Sequence, residues 1–280
     1  MAVENPLAID FVNSKGGVGK TVGAVNTADH LGDRGRTLLV DGDPDGNATD
    51  HLGLYESFYK DDDAVHYGDL MYEDSDADPE LEDLIIETDH GFDFLPSHVS
   101  MGKYQTWIDE DPYAIFCFEH AIIEPLLGER YDYIVFDSTN STNDLFQDAV
   151  MTAAPNLVIP LLSGPGSEGG LDRLLTGPVK SLSKHRDVSV LAVMPNRFDG
   201  NNDEQNLIER LEEKYPQYLP PFARAEMLET SPGPGIRKSK PIDRAWRNGV
   251  PLSAYDSENV NNERFAQLAD LVANGGRADE

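Results

Sequence analysis

The chain has 280 residues, with 22 Lys and Arg against 51 Asp and Glu and a formal charge of −29. Such a surface repels nucleic acid and anionic lipid at long range, which excludes general basic-protein binding and confines any DNA contact to a local patch. Hydrophobic residues at 39% and aromatic residues at 9% exclude a disordered polyanion, so the acid excess fits a folded protein of a halophile's cytoplasm, where salt screens the repulsion.

In chain order, Leu7–Asn13 reads as a buried strand and Val22–Asp33 as a helix closed by Gly35. Thr37–Asp41, Phe92–Leu95, Tyr131–Asp137, Asn156–Leu162 and Val188–Met194 read as five further strands. Helical stretches are predicted over about 114–128, 143–153, 167–184 and 203–214, and a last one over Asn261–Ala273. Continuous apolar strands alternating with helices predict an α/β fold: a doubly wound, mostly parallel sheet with helices on both faces. The chain reads as a single domain over 1–280. Residues 50–90 form an acidic, solvated excursion, densest over Asp61–Asp89. Residues 215–248 are rich in Pro and Gly and then basic, which is loop chemistry, and 275–280 form a frayed tail.

Cys117 is the single cysteine, so neither an internal disulfide nor a thiolate metal cluster can form. No run approaches 18 apolar residues, and Met1–Pro6 lacks a basic segment followed by an apolar one. A cytoplasmic protein with no membrane contact is expected.

The first strand runs into Ser14-Lys15-Gly16-Gly17-Val18-Gly19-Lys20-Thr21, where a helix begins. A phosphate-binding loop has the form G-x-x-x-x-G-K-[ST]; Ser14 occupies the first Gly position and the rest holds. Gly16, Gly17 and Gly19 let backbone N–H groups turn toward phosphate oxygens, and the helix points its positive end at the same anion. Lys20 would reach the β- and γ-phosphates and the Thr21 hydroxyl would ligate Mg²⁺. The plain alternative is a Gly-rich turn between strand and helix.

Lys15 makes the loop K-G-G-x-G-K-[ST]. At this residue the chain resembles the ParA/MinD family of deviant Walker A ATPases, and within it the ParA/Soj type. The resemblance implies the fold of a SIMIBI-type P-loop NTPase, bound ATP and Mg²⁺, and a dimer in which Lys15 reaches the partner subunit's phosphates. It continues through Asp41-Gly42-Asp43-Pro44-Asp45-Gly46-Asn47-Ala48-Thr49, where Asp45 replaces a usual Gln. Asp43 then matches the family residue that positions the attacking water, and Asp41 supports the metal shell. Leu95-Pro96-Ser97 and the Walker B strand Tyr131–Asp137 also match, and Asp137 would hold Mg²⁺ through water. The family's following Pro-Pro is absent: this chain reads Ser138-Thr139-Asn140. Val22 replaces a common second Thr beside the α-phosphate. Asn196-Arg197 resembles the Asn-Arg pair of the MinD-like branch, in which the Asn reads adenine; its alternative is a turn residue. Gly249–Asp256 matches the family's closing motif, while the segment near the base reads Arg237-Lys238-Ser239 without the family's Pro and Asn.

Partner chemistry follows from residue types. Iron–sulfur relatives need thiolates that one Cys cannot supply. A MinD-like membrane helix needs a basic amphipathic C-terminus, whereas Asn261–Ala273 carries Arg264 against Glu263 and Asp270. Arg237, Lys238, Lys240, Arg244 and Arg247 place five of the 22 basic residues within 11 positions, on a Pro/Gly loop and a short helix. That cluster either meets non-specific DNA or forms surface salt bridges. The resemblance implies a partition ATPase that is nucleoid-associated when ATP-bound, stimulated by a ParB-like partner, and that moves plasmid or chromosome cargo. Three rivals remain: a MinD-like or other cargo-positioning ATPase without DNA binding, a small-molecule ATP-dependent ligase on the same fold, and a binding module without hydrolysis.

Overall fold

A computed structural model describes residues 5–61, 63–72, 79–139 and 145–277. The acid run Glu73-Asp74-Ser75-Asp76, Asp62, Asn140, the start of the helix expected at 143 and the last three residues of the tail lie outside the described residues, as does the N-terminus through Glu4.

All six expected strands form: β1 (Leu7–Phe11), β2 (Thr37–Gly42), β3 (Asp93–Leu95), β4 (Tyr133–Ser138), β5 (Asn156–Leu162) and β6 (Ser189–Asn196). They make one sheet in the order β3-β2-β4-β1-β5-β6, and every pairing is parallel. The chain winds outward from β1 to β2 and β3, returns through β4, then crosses β1 to β5 and β6. The crevice beyond the carboxyl end of β1 is therefore the point where the winding reverses, which is where open α/β sheets take ligands.

The two-residue period of each strand sorts its side chains between two cores. Ile9 and Phe11 of β1, Leu39 of β2 and Val135 of β4 face one core, together with α1 (Lys20–Leu31) and a terminal helix. Ala8, Leu38, Val40, Ile134 and Phe136 face the other, with α2 (Met101–Glu110) and α3 (Leu145–Ala153). α2 was not expected, although Met101, Tyr104 and Ile108 give a helical stripe that the structure buries. The helix expected over 114–128 runs from Pro112 to Leu126 but changes turn width, tight over Pro112–Phe116, wide over Glu119–Ile123 and ordinary over Glu124–Leu126. The stretch expected over 167–184 divides into α4 (Ser167–Leu174), a wide turn over Leu175–Val179 and a short Lys180–Leu182. Pro125 and Pro178 explain the two wide turns, since a proline has no N–H to continue the ladder and crowds the preceding turn. α5 (Asn202–Lys214) carries a capping box built by Asn201 and Glu204.

Residues 215–248 are short turns leading to α6 (Lys240–Arg247). Their far wall is fixed by the terminal helix, α7 (Val260–Ala273). Arg264 is buried and donates to the carbonyls of Gly233 and Gly235. Asn261 accepts from the Arg237 N–H at 2.7 Å and donates to its carbonyl at 2.9 Å. Residues 236 and 238 in turn bond along the end of β6, Ile236 N–H to Pro195 and Lys238 N–H to Phe198. The expected apolar stripe of α7, Phe265, Leu268, Leu271 and Val272, is buried, and its one cation is turned inward as well. Among the described residues no helix is long and apolar enough to cross a membrane.

Candidate functional site

The loop after β1 is held at both ends by asparagine amides. Asn13 donates from Nδ2 to the Pro160 carbonyl of β5 at 2.7 Å, and its Oδ1 accepts the Lys15 N–H at 2.9 Å. Asn196 of β6 donates to the Val18 carbonyl at 2.7 Å. Gly17 and Gly19 sit at φ 71° and 97°, a region open to glycine, and Gly19 caps α1. Gly16, Gly17 and the Lys15 side chain are exposed at the loop's mouth, whereas Val18 and Lys20 are buried.

Lys20 places Nζ 3.3 Å from the Asn13 carbonyl. Burial lowers its pKa, and the carboxylates of Asp137, Asp43 and Asp10 oppose that shift. The acid groups thus offset part of the cost of burying this amine beneath the loop, a task an incoming phosphate would share.

The three aspartates have different surroundings. Asp41 ends β2 fully buried, and its oxygens are taken by the Thr49 N–H at 2.8 Å, the Thr49 hydroxyl at 2.6 Å and the Asp43 N–H at 3.2 Å. Burial pushes its pKa up to about 7. These bonds shape the turn that carries Asp43. Asp43 accepts from the Asp45 N–H at 3.0 Å and from Asn47 Nδ2 at 2.8 Å, and Ser97 after β3 braces its carbonyl at 2.8 Å. Burial raises its pKa. Asp137 ends β4 with both oxygens buried, and among the described residues neither makes a hydrogen bond of good geometry, the Thr21 hydroxyl lying nearby. Burial raises its pKa well above the carboxylate range, Asp41 and Asp43 add to that, and the Thr21 hydroxyl and Lys20 oppose it. A buried carboxyl group with no well-formed hydrogen bond, beside a threonine hydroxyl, suits a hydrated divalent cation. Thr21 and Asp137 thus fit Mg²⁺.

Next to Asp137, Ser138 donates its hydroxyl to the fully buried Asp10 of β1, which also accepts from Gln147 Nε2 at 3.2 Å. Burial pushes the Asp10 pKa up to about 7. Asp10 was read only as a strand residue.

Two adjoining cavities open above the loop. A smaller one of about 160 Å³ is lined by Gly17, Gly19, Lys20, Thr21, Asp43 and Asn47. A larger one of about 500 Å³ is lined by Asn196, Arg237, Lys238, Ser239, Ile242 and Asp243, among others. Val22, Arg197 and Trp246 line both. A phosphate chain in the first and a base in the second would be continuous, and Trp246 offers an aromatic face backed by His51, whose ring centroid lies 4.4 Å away. The sequence reading missed Trp246 and Asn13, and it gave Asn47 only as part of the Asp41–Thr49 run.

The basic cluster divides between two tasks. Arg237 and Lys238 belong to the cavity wall, and Lys238 pairs with Asp199 at 3.4 Å. Lys240, Arg244 and Arg247 recur along one face of α6 at helical spacing and are exposed, with Arg247 also at the cavity's rim.

A family model described as an AAA domain matches residues 7–190. The chain is 28% identical to the sporulation initiation inhibitor protein Soj of Bacillus subtilis over 271 residues, covering 96% of this chain and 98% of Soj. It is 34% identical to the chromosome partitioning protein ParA of Myxococcus xanthus, covering 91% of this chain and 84% of that protein. Among solved structures, an ATP complex of a McdA variant from Cyanothece superposes with a TM-score of 0.77 at 22% identity, covering 96% of this chain and 97% of that one. That likeness shows the shared fold.

Proposed function

Because the chain belongs to the ParA/MinD family of ATPases, we propose that it is a ParA-like partition ATPase, dimerising on ATP and binding DNA non-specifically in that state. One observation carries the reading: an exposed Lys15 at the mouth of a loop on which buried Lys20, Thr21, Asp43 and the buried Asp137 converge.

Loop N–H groups from Gly16 to Thr21 and the Lys20 ammonium receive the phosphates. Thr21 and Asp137 hold Mg²⁺, which when bound neutralises charge on the β- and γ-phosphates. Asp43 retains lone pairs beyond its two internal bonds and orients the attacking water. Lys15 lies too exposed to serve its own buried site and completes the partner subunit's site, adding positive charge where negative charge develops in the transition state. Asn196, Val22 and Trp246 surround the base. The dimer joins two weak α6 faces, each with Lys240, Arg244 and Arg247, into one bivalent DNA surface, with Arg237 and Lys238 behind them. Hydrolysis separates the subunits and releases DNA; a ParB-like partner stimulates that step, and the cycle moves plasmid or chromosome cargo in a salty cytoplasm.

The charge of −29 and the pairing of Lys238 with Asp199 favour a second reading: the same switch positioning another cargo without DNA.

The test is the mass of Asp43→Ala protein by light scattering in molar KCl, with and without Mg·ATP. The switch predicts a dimer that requires both ATP and Lys15. A monomer throughout, or a dimer that persists in Lys15→Ala, removes it and leaves a ligase or a plain binding module.

A further inference from the structure

Asn196 ends β6 beside the phosphate loop with its amide already engaged. Nδ2 donates to the Val18 carbonyl at 2.7 Å, and Oδ1 accepts the Arg197 N–H at 2.8 Å. The residue is 4% exposed. A primary amide offers two N–H donors and two acceptor lone pairs, so half of that capacity is committed before any ligand arrives.

The amide is also wedged against the loop. A Cβ built on Gly19 would lie 1.9 Å from Asn196 Nδ2, so only glycine leaves room for it. On the other side, Arg197 sits at φ 57°, and among the described residues it is the one non-glycine at positive φ. That conformation is costly for a long side chain and persists where its surroundings impose it. Here the Arg197 N–H is held by Asn196 Oδ1, and the following Phe198 N–H is held by the Ile236 carbonyl at 3.0 Å. The backbone after β6 is therefore bent to keep this amide in place.

The carbonyl it grips explains why. A trans peptide is planar, and its C=O and N–H point in opposite directions. Fixing the Val18 carbonyl toward Asn196 turns the Gly19 N–H away from it, and Gly19 lines the phosphate cavity. Gly19 N–H is one of the loop donors on which anion binding depends.

We propose that Asn196 is a positioning residue of the phosphate loop: it locks the Val18–Gly19 peptide, and it acts on phosphate whatever base is attached. The inference rests on the nucleotide reading above but gives Asn196 a task other than base selection.

The probe that separates the two tasks is a phosphate chain with no base. Binding of Mg·ATP, Mg·GTP and Mg·tripolyphosphate is measured by calorimetry on wild type, Asn196→Ala and Asn196→Asp, alongside apo melting temperatures. Asn196→Asp keeps an acceptor for the Arg197 N–H and sets a carboxylate oxygen against the Val18 carbonyl, so it tests the peptide lock with little change of volume. Positioning predicts that both variants lose about tenfold for ATP and for tripolyphosphate alike, the scale of one hydrogen bond. The ATP-to-GTP ratio stays unchanged and the apo melting point moves by no more than a few degrees. A loss confined to ATP, with tripolyphosphate held as in wild type, overturns the assignment in favour of base contact. Unchanged binding of both ligands overturns it too. Wild-type protein that holds neither ATP nor tripolyphosphate overturns the nucleotide reading itself, and the assignment with it.

Discussion

The carboxyl end of β1 and the outer face of α6 are both charged, and they solve opposite problems. At β1, Lys20 and the aspartates are buried, and their charges are set by neighbours a few residues or one strand away. On α6, Lys240, Arg244 and Arg247 stand in solvent on a strongly acidic chain. The first region gains strength from water exclusion, where each charge interaction is large. The second has only screened, additive contacts. A substitution in the first should therefore abolish function, and one in the second should tune it.

The comparison breaks first at Asp137. Asp137→Asn removes a carboxyl group that a cation would hold ionised, and the half-saturating Mg²⁺ concentration for ATP turnover should rise at least tenfold; an unchanged Mg²⁺ titration would move the metal elsewhere. Trp246→Ala opens the wall shared by both cavities. It should weaken ATP several-fold while leaving tripolyphosphate unaffected, on the scale of one aromatic stack, as read by calorimetry.

Lys240→Ala with Arg244→Ala sharpens the other side. ATP binding should hold, and the slope of log DNA affinity against log salt should fall by about four for a dimer that loses two cations from each subunit. A DNA affinity indifferent to both would favour the cargo reading without DNA. The smallest effect is a pH dependence beneath Trp246. Burial holds the His51 pKa down at about 4 against 6.5 in the open chain. The unfolded chain then takes up the proton first, so this histidine's full stability is present above pH 6.5 and is lost as pH falls toward 4. Denaturation of wild type between pH 7.5 and 5 should lose on the order of 1–2 kcal/mol more than His51→Gln; equal losses would mean that the imidazole is hydrated.

What the sequence made legible follows the range of the interactions. The phosphate loop, the Asp41–Thr49 turn and Asp137 lie in short runs whose spacing carries their chemistry. Both asparagine clamps stayed hidden because their partners lie 147 and 178 residues away. Nothing local marks Asp10 within its apolar strand, since Gln147 is 137 residues distant. Here the register brings the pieces together: Asp10 lies opposite Phe136 and Phe11 opposite Asp137, which sets Ser138 beside Asp10. The basic cluster was visible as a density of charge, but only the bend between Lys238 and α6 divides it between a cavity wall and an outer face.

The wall of the larger cavity is tied down by Asn261 and Arg264 of the terminal helix. The phosphate loop lies far ahead of α7 in the chain, so the wall of the larger cavity depends on a segment that the loop itself does not touch in sequence. The tie is made by an amide and by a guanidinium on backbone carbonyls, and among the described residues no ion pair is part of it, so rising ionic strength has little hold on it.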